Sequence, residues 1–178
     1  MLCYTYYMKV LATIYETDIN PQAVNADPAE FKERRAARAV VLDESGRVAL
    51  LKVNKHIFHK LPGGGVETGE GILEALEREL LEEIGCKGEV IAELGQIIEY
   101  RDQWQLRQSS DCFLVKKVGE QLDSNFDDGE LDDDFEMLWA ENIDQAISLL
   151  EHDQTSNYDG KFINKRDLLL LRAAKSLM

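Results

Sequence analysis

Cysteine, proline and histidine each occur only three times in this 178-residue chain. The cysteines (Cys3, Cys86 and Cys112) are scattered, odd in number and free of any C-x-x-C spacing. Neither a disulfide framework nor a cysteine zinc site is expected, and buried free thiols fit a reducing compartment. Long apolar runs are also missing: none approaches the roughly 18 residues needed to span a bilayer. The first eight residues show no basic region or small-residue cleavage site of a secretory signal, so a cytoplasmic location is expected, with Met8 as an alternative start. The largest deficit is in positive charge. Against 34 Asp and Glu stand 20 Lys and Arg, a formal net charge of −14. Such a chain repels nucleic-acid backbones, and no basic stripe offsets the excess. A phosphate ligand must therefore be held through cations set between it and the protein.

What is present is the composition of a folded domain, 44% hydrophobic and 30% charged. Residues 8–16 read as a strand, followed by a polar stretch with Pro21 and Pro28 and a short helix over 29–37. Residues 1–36 are assigned as an N-terminal extension and 37–178 as the main domain. Strands over 37–43 and 47–53 flank Glu44-Ser45-Gly46, a hairpin signal. A short strand over 57–61 stops at Pro62-Gly63-Gly64-Gly65, and a helix fits 71–84 with Gly85 ending it. Strands over 89–100 and 106–118 suit an antiparallel pair, with Gly95 marking a bulge. The acidic stretch 119–136 reads as a mobile surface loop. A strand over 135–140 and helices over 142–151 and 159–177 complete the chain. This order predicts an α/β sandwich on a mixed sheet.

The helix over 71–84 carries the most information. At 100° per residue, Ile72, Leu73, Leu76, Leu80 and Ile84 share one face, and Ala75, Glu79, Glu82 and Glu83 share an adjacent stripe. Carboxylates at that spacing repel by roughly 0.2–0.5 kcal/mol per exposed pair. Lying in the C-terminal half, they also oppose the helix dipole. A hard divalent cation reverses both terms. Arg78 is within reach of Glu74, Glu79 and Glu82 and is suited to hold them. Taken alone, this face also fits ordinary surface ion pairs. The glycines preceding it let the backbone approach closely where other residues would clash, and their spacing matches neither a Walker loop nor a dinucleotide fingerprint.

Gly64, Glu70, Arg78, Glu79, Leu80, Glu82, Glu83, Gly85 and Cys86 together resemble a complete Nudix box spanning residues 64–86, with Cys86 where the family usually has an aliphatic residue. The resemblance implies a Nudix-type α/β/α sandwich and a Mg2+-dependent (or Mn2+-dependent) pyrophosphohydrolase cleaving a nucleoside diphosphate linked to another group. By the same resemblance, Glu79, Glu82 and Glu83 bind one to three metal ions, with the Gly63 carbonyl as a further ligand. Arg78 orients the glutamates, Glu70 anchors the loop, and Glu82 is the first choice of general base, with Glu120 and Glu136 as outside candidates. Arg38, Lys52, Lys60 and Gly64 are named for phosphate and base recognition. His56 and His59 are too isolated to argue for a second metal. Trp104 or Tyr100 is a candidate to stack on a base. A small nucleotide, first of all a nucleoside triphosphate, is the expected substrate. ADP-ribose or another nucleotide sugar is the alternative, and a non-catalytic regulator the alternative of another class. No nucleic-acid or membrane partner is expected, and the N-terminal extension is a candidate homodimer contact.

Overall fold

A computed structural model describes residues 8–178. Cys3 and the rest of the first seven residues lie outside the described region. Seven strands form one sheet: β1 (Val10–Ile14), β2 (Lys32–Leu42), β3 (Val48–Val53), β4 (Phe58–Lys60), β5 (Lys87–Arg101), β6 (Leu106–Val118) and β7 (Phe135–Ala140). Their order is β1-β5-β6-β2-β3-β4, with β7 also on β3. The sheet is mixed: β1 runs parallel to β5 and β2 parallel to β6, while the other pairs are antiparallel. Helices are α1 (Glu16–Ile19), α2 (Ile72–Ile84), α3 (Asp128–Asp132), α4 (Ile143–His152) and α5 (Tyr158–Lys175). Among the described residues no helix is long and apolar enough to cross a membrane.

Strand alternation splits the core in two. Ala37, Ala39 and Val41 pack with Ala75, Leu76, Leu80 and Ile84 of α2. Val40 and Leu42, on the other pleat, pack with Ala146 and Leu150 of α4 and Phe162, Leu170 and Leu171 of α5. Helices thus cover both faces, as the predicted sandwich requires. β2 and β3 pair only at Leu42 and Val48. Below that point the glycine loop takes the place of a strand beside β2: Ala39 N–H donates to Pro62 O, Ala37 N–H to Gly64 O, and Val66 N–H to Arg35 O. The split opens a space between sheet, loop and α2.

Three expectations need correction. Residues 29–37 are no helix: after a single turn at Pro28–Glu30, β2 starts at Lys32 and pairs with β6 along its whole length. That ladder outweighs local helix propensity. Leu73 is 55% exposed and does not belong to the apolar face of α2, whereas Ala75 is fully buried in the core. The acidic stretch after β6 is not free. Gln121 Nε2, Leu122 N–H, Ser124 Oγ and Asn125 N–H donate to the carbonyls of Ile84, Gly85, Glu83 and Glu82 respectively. These are the orphan acceptors that end every helix, and satisfying them pins the segment against α2. The bulge at Gly95, in contrast, is present, with φ 119° and a register shift between Glu93 and Gly95.

Candidate active site

An open cavity of about 620 Å3 lies in this space, within the usual range for small-molecule sites. One wall is α2, contributing Arg78, Glu79, Glu82 and Glu83. The glycine loop supplies Gly63, Gly64, Gly65, Val66 and Glu67. Arg34, Arg38 and Lys60 line it from β2 and β4, and Asn125, Phe126, Asp127, Glu130 and Phe135 from the pinned segment and β7.

The carboxylates are held separately. Arg78 donates from Nη1 to Glu79 at 2.8 Å and to Glu82 at 3.2 Å, and from Nη2 to Gly65 O at 2.9 Å. It also grips both oxygens of Glu70, and Glu70 in turn accepts from Glu67 N–H. One guanidinium therefore ties the loop to the helix. Glu74 instead caps Gly71 N–H and does not meet Arg78. Glu83 is 1% exposed and accepts from Gly63 N–H at 2.5 Å and Lys60 Nζ at 2.7 Å. Burial, and then the nearby Glu83 charge, push the Glu79 carboxyl above its ordinary pKa. Among the described residues, no three acidic, histidine or cysteine side chains converge as a ready metal cage. The three glutamates share a cavity wall but each faces a protein donor.

Two glycines explain the tight fit of loop to helix. A Cβ on Gly64 would overlap the Glu79 carboxylate, and one on Gly63 (φ +126°) would overlap the carbonyl of Ala37 in β2.

Of the other sequence candidates, Arg38, Lys60 and Gly64 line the cavity and Lys52 does not. The reason is the pleat. Lys52 pairs with His59, whereas Lys60 pairs with Leu51, so Lys52 projects to the face opposite α2. His59 sits on that face too, with Nδ1 2.8 Å from Asp153. Glu120 and Glu136 are outside the cavity, as are Tyr100, stacked on Tyr15, and Trp104, bonded to Asp159. The residues missed in the sequence are Arg34, Asn125, Phe126 and Glu130.

Glu130 has a consequence for stability. Burial, reinforced by repulsion from Glu83, raises its pKa to about 7 from 4.5. The folded chain thus keeps this proton to higher pH than the unfolded chain does. The stability it contributes is complete below pH 4.5 and is lost as pH rises through about 7. Without divalent ions the protein is expected to melt at a lower temperature at pH 8 than at pH 5.5. Glu130→Gln should narrow that gap by roughly 2–4 °C, the shift for about 1 kcal/mol in a chain of this size once solvent screening of the half-exposed carboxyl is discounted. Thermal melts of both proteins at the two pH values check this; an unchanged gap would contradict it.

Comparison with known proteins bears on the family and the fold. The family model described as NUDIX domain matches residues 32–159. A Bacillus subtilis (strain 168) protein with the provisional name 8-oxo-dGTP diphosphatase is 36% identical over 74 residues, which cover 40% of this chain and half of that protein's length. An RNA pyrophosphohydrolase of Wolbachia pipientis subsp. Culex pipiens (strain wPip) is 29% identical over 133 residues, 67% of this chain and 82% of that one. The solution structure of the E. coli ORF135 protein superposes with a TM-score of 0.57 at 18% identity, over 85% of this chain and 95% of that one, and supports the fold. With the domain match running from the first residue of β2 into α5 and enclosing every residue of the cavity, the chain belongs to the Nudix hydrolase family.

Proposed function

We propose that this protein is a divalent-cation-dependent pyrophosphohydrolase acting on a nucleoside triphosphate or a related small nucleotide, with Mg2+ or Mn2+ as the cation. The observation that carries the reading is a single cavity with Glu79, Glu82 and Glu83 on one wall and Arg34, Arg38 and Lys60 on others. The donor set suits a hard cation: all ligands are oxygens, and Glu79 is strained by burial and by Glu83 in a way that a positive charge relieves. Glu79, Glu82 and Glu83 would hold it, with the Gly63 carbonyl as a further ligand. When bound, the cation supplies charge neutralisation at phosphate oxygens and a lowered pKa for the attacking water.

The chain's own groups do the rest. Arg78 fixes the loop to the helix and sets the directions of Glu79 and Glu82. Lys60 orients Glu83 by a hydrogen bond from its Nζ at 2.7 Å. Glu82, 43% exposed at its side chain, is open to solvent and remains the first choice to take a proton from water. Glu130, which lines the same cavity, is the second carboxylate for that task. A triphosphate is favoured over a nucleotide sugar because 8-oxo-dGTP, in the Bacillus relative's name, is one.

The test is a screen of the purified protein for pyrophosphate and phosphate release. The panel contains nucleoside triphosphates, ADP-ribose and nucleotide sugars, each with and without Mg2+ or Mn2+. Turnover of a triphosphate that stops on chelation is expected. Turnover of no substrate, or turnover indifferent to chelation, would defeat the reading.

A further inference from the structure

β4 is three residues long and, among the described residues, has a strand along one edge only, β3. The amides on its other edge, and those of the loop that follows, need acceptors of another kind. Three alternate amides of this run each donate to a carboxylate: His59 N–H to Asp153 Oδ2 at 2.7 Å, Leu61 N–H to Asp167 Oδ2 at 2.7 Å, and Gly63 N–H to Glu83 Oε2 at 2.5 Å. Pro62, between the last two, has no amide to place. The carbonyls of Pro62 and Gly64 accept from Ala39 and Ala37 of β2. Carbonyls thus fix the loop to the sheet, and carboxylates fix its amides to the helices.

Two of the three carboxylates come from the side away from α2. Asp153 ends α4, with its side chain 6% exposed and its Oδ1 2.8 Å from His59 Nδ1. Asp167 is fully buried in α5, and its Oδ1 accepts from Arg166 Nε at 2.7 Å. α5 lies close on β4 here: a Cβ on Gly160 would stand 3.0 Å from two ring carbons of Phe58. A buried carboxylate is costly unless its oxygens are satisfied. Each aspartate spends one oxygen on the backbone that leads into the glycine loop. Lys60, between the two held amides, reaches Glu83 with its Nζ at 2.7 Å, and Gly63 follows two residues after Leu61.

Resting on the function proposed above, we propose that Asp153 and Asp167 are positioning residues for hydrolysis. Through the His59 and Leu61 amides they set, from the far side of the sheet, the places at which Lys60 and Gly63 meet Glu83. Glu83 is the member of the set that a cation draws on; Asp153 and Asp167 hold the loop independently of that demand. Neither aspartate lines the cavity. Groups placed by such outer contacts are sensitive to small shifts, and a misplacement of about 1 Å costs on the order of a hundredfold in rate.

Asp153 carries the test, because Asp167→Asn also leaves the fully buried Arg166 short of counter-charge. Asp153→Ala removes both contacts to His59. Asp153→Asn keeps them, its oxygen accepting from His59 N–H and its NH2 donating to Nδ1. Gly46→Ala, in the hairpin between β2 and β3, is the control for a modest loss of stability. Well below the melting temperatures, Asp153→Ala is expected to lose at least about tenfold in kcat on the nucleotide that wild type hydrolyses, with KM within about threefold, and to bind Mn2+ more weakly by calorimetry. Asp153→Asn is expected to restore both readouts, and Gly46→Ala to leave them at wild-type values. If Asp153→Ala fails to fold by circular dichroism, Asp153→Glu, which keeps the charge and moves the acceptor by one methylene, decides on the same expectations. A folded variant with wild-type kcat and Mn2+ affinity overturns the proposal, as does an equal loss in Asp153→Asn. Should wild type bind no Mn2+ and hydrolyse no nucleotide, the proposed function fails, while amide hydrogen exchange still decides whether the aspartate holds the loop. The amides of Leu61, Gly63 and Gly64 are expected to exchange at least about tenfold faster in Asp153→Ala than in wild type. Unchanged exchange there overturns the positioning role.

Discussion

Glu83→Gln is expected to lower kcat about a thousandfold or more, equivalent to about 4 kcal/mol of transition-state stabilisation. It should cost stability as well, because Glu83 is buried and both its oxygens accept hydrogen bonds, from Gly63 N–H and Lys60 Nζ. A glutamine offers one acceptor and one donor. Either way round, its NH2 meets another donor, and Lys60 loses its counter-charge. The loss of one such bond is worth about 1.5–3 kcal/mol. Glu82→Gln separates the two effects: the Glu82 side chain is 43% exposed and, among the described residues, is bonded only to Arg78, so its loss should cut turnover with little change in melting. Pyrophosphate release and thermal melts of both variants check this. A Glu83→Gln protein with wild-type turnover would remove the glutamate wall from the chemistry.

The second large effect is on folding. Gly63→Ala is expected to destabilise the protein by about 3 kcal/mol or more, combining a disfavoured φ with a backbone overlap. The residue sits at φ +126°, and its added Cβ would meet Ala37 O and, at 2.9 Å, Arg38 Cα. Neither can retreat, since β2 is paired with β6 from Lys32 to Leu42. Gly46→Ala is the control. It has φ +80° with nothing within 4 Å of the added Cβ, so only the conformational part remains, about 1 kcal/mol. Chemical denaturation of the two variants measures the difference. Equal losses at both positions would mean that the loop is not wedged against β2.

The anionic wall was legible in the sequence because it depends on one element. The spacing of Glu79, Glu82 and Glu83 on a helix fixes their common side whatever surrounds it. The cationic wall was half legible, and the reason is a strand boundary. Reading β2 from residue 37 leaves Arg38 alone; reading it from Lys32 puts Arg34 on the same pleat, in a ladder that only the partner strand β6 reveals. Lys52 failed for a related reason, since its face depends on register with His59 rather than on proximity to the loop.

Glu130 and Phe126 were hidden in a run of acids that reads as solvated. A signal was present in Asp127-Asp128-Gly129-Glu130, which has the spacing of a capping box. Asp127 and Glu130 do cap one another's backbone N–H groups at α3. What no local pattern shows is that this segment spends its donors on the last carbonyls of α2 and so hangs over the glutamates.

Hydrolysis of the proposed kind requires Glu79, Glu82 and Glu83 to be a cation-binding wall. Calorimetric titration of Mn2+ into wild type and into the Glu79→Gln, Glu82→Gln, Glu83→Gln triple variant addresses this without any substrate. Saturable binding by wild type that is absent from the folded triple variant is the expected result. Wild type that binds no Mn2+, or a triple variant that binds it as well as wild type does, would contradict the account.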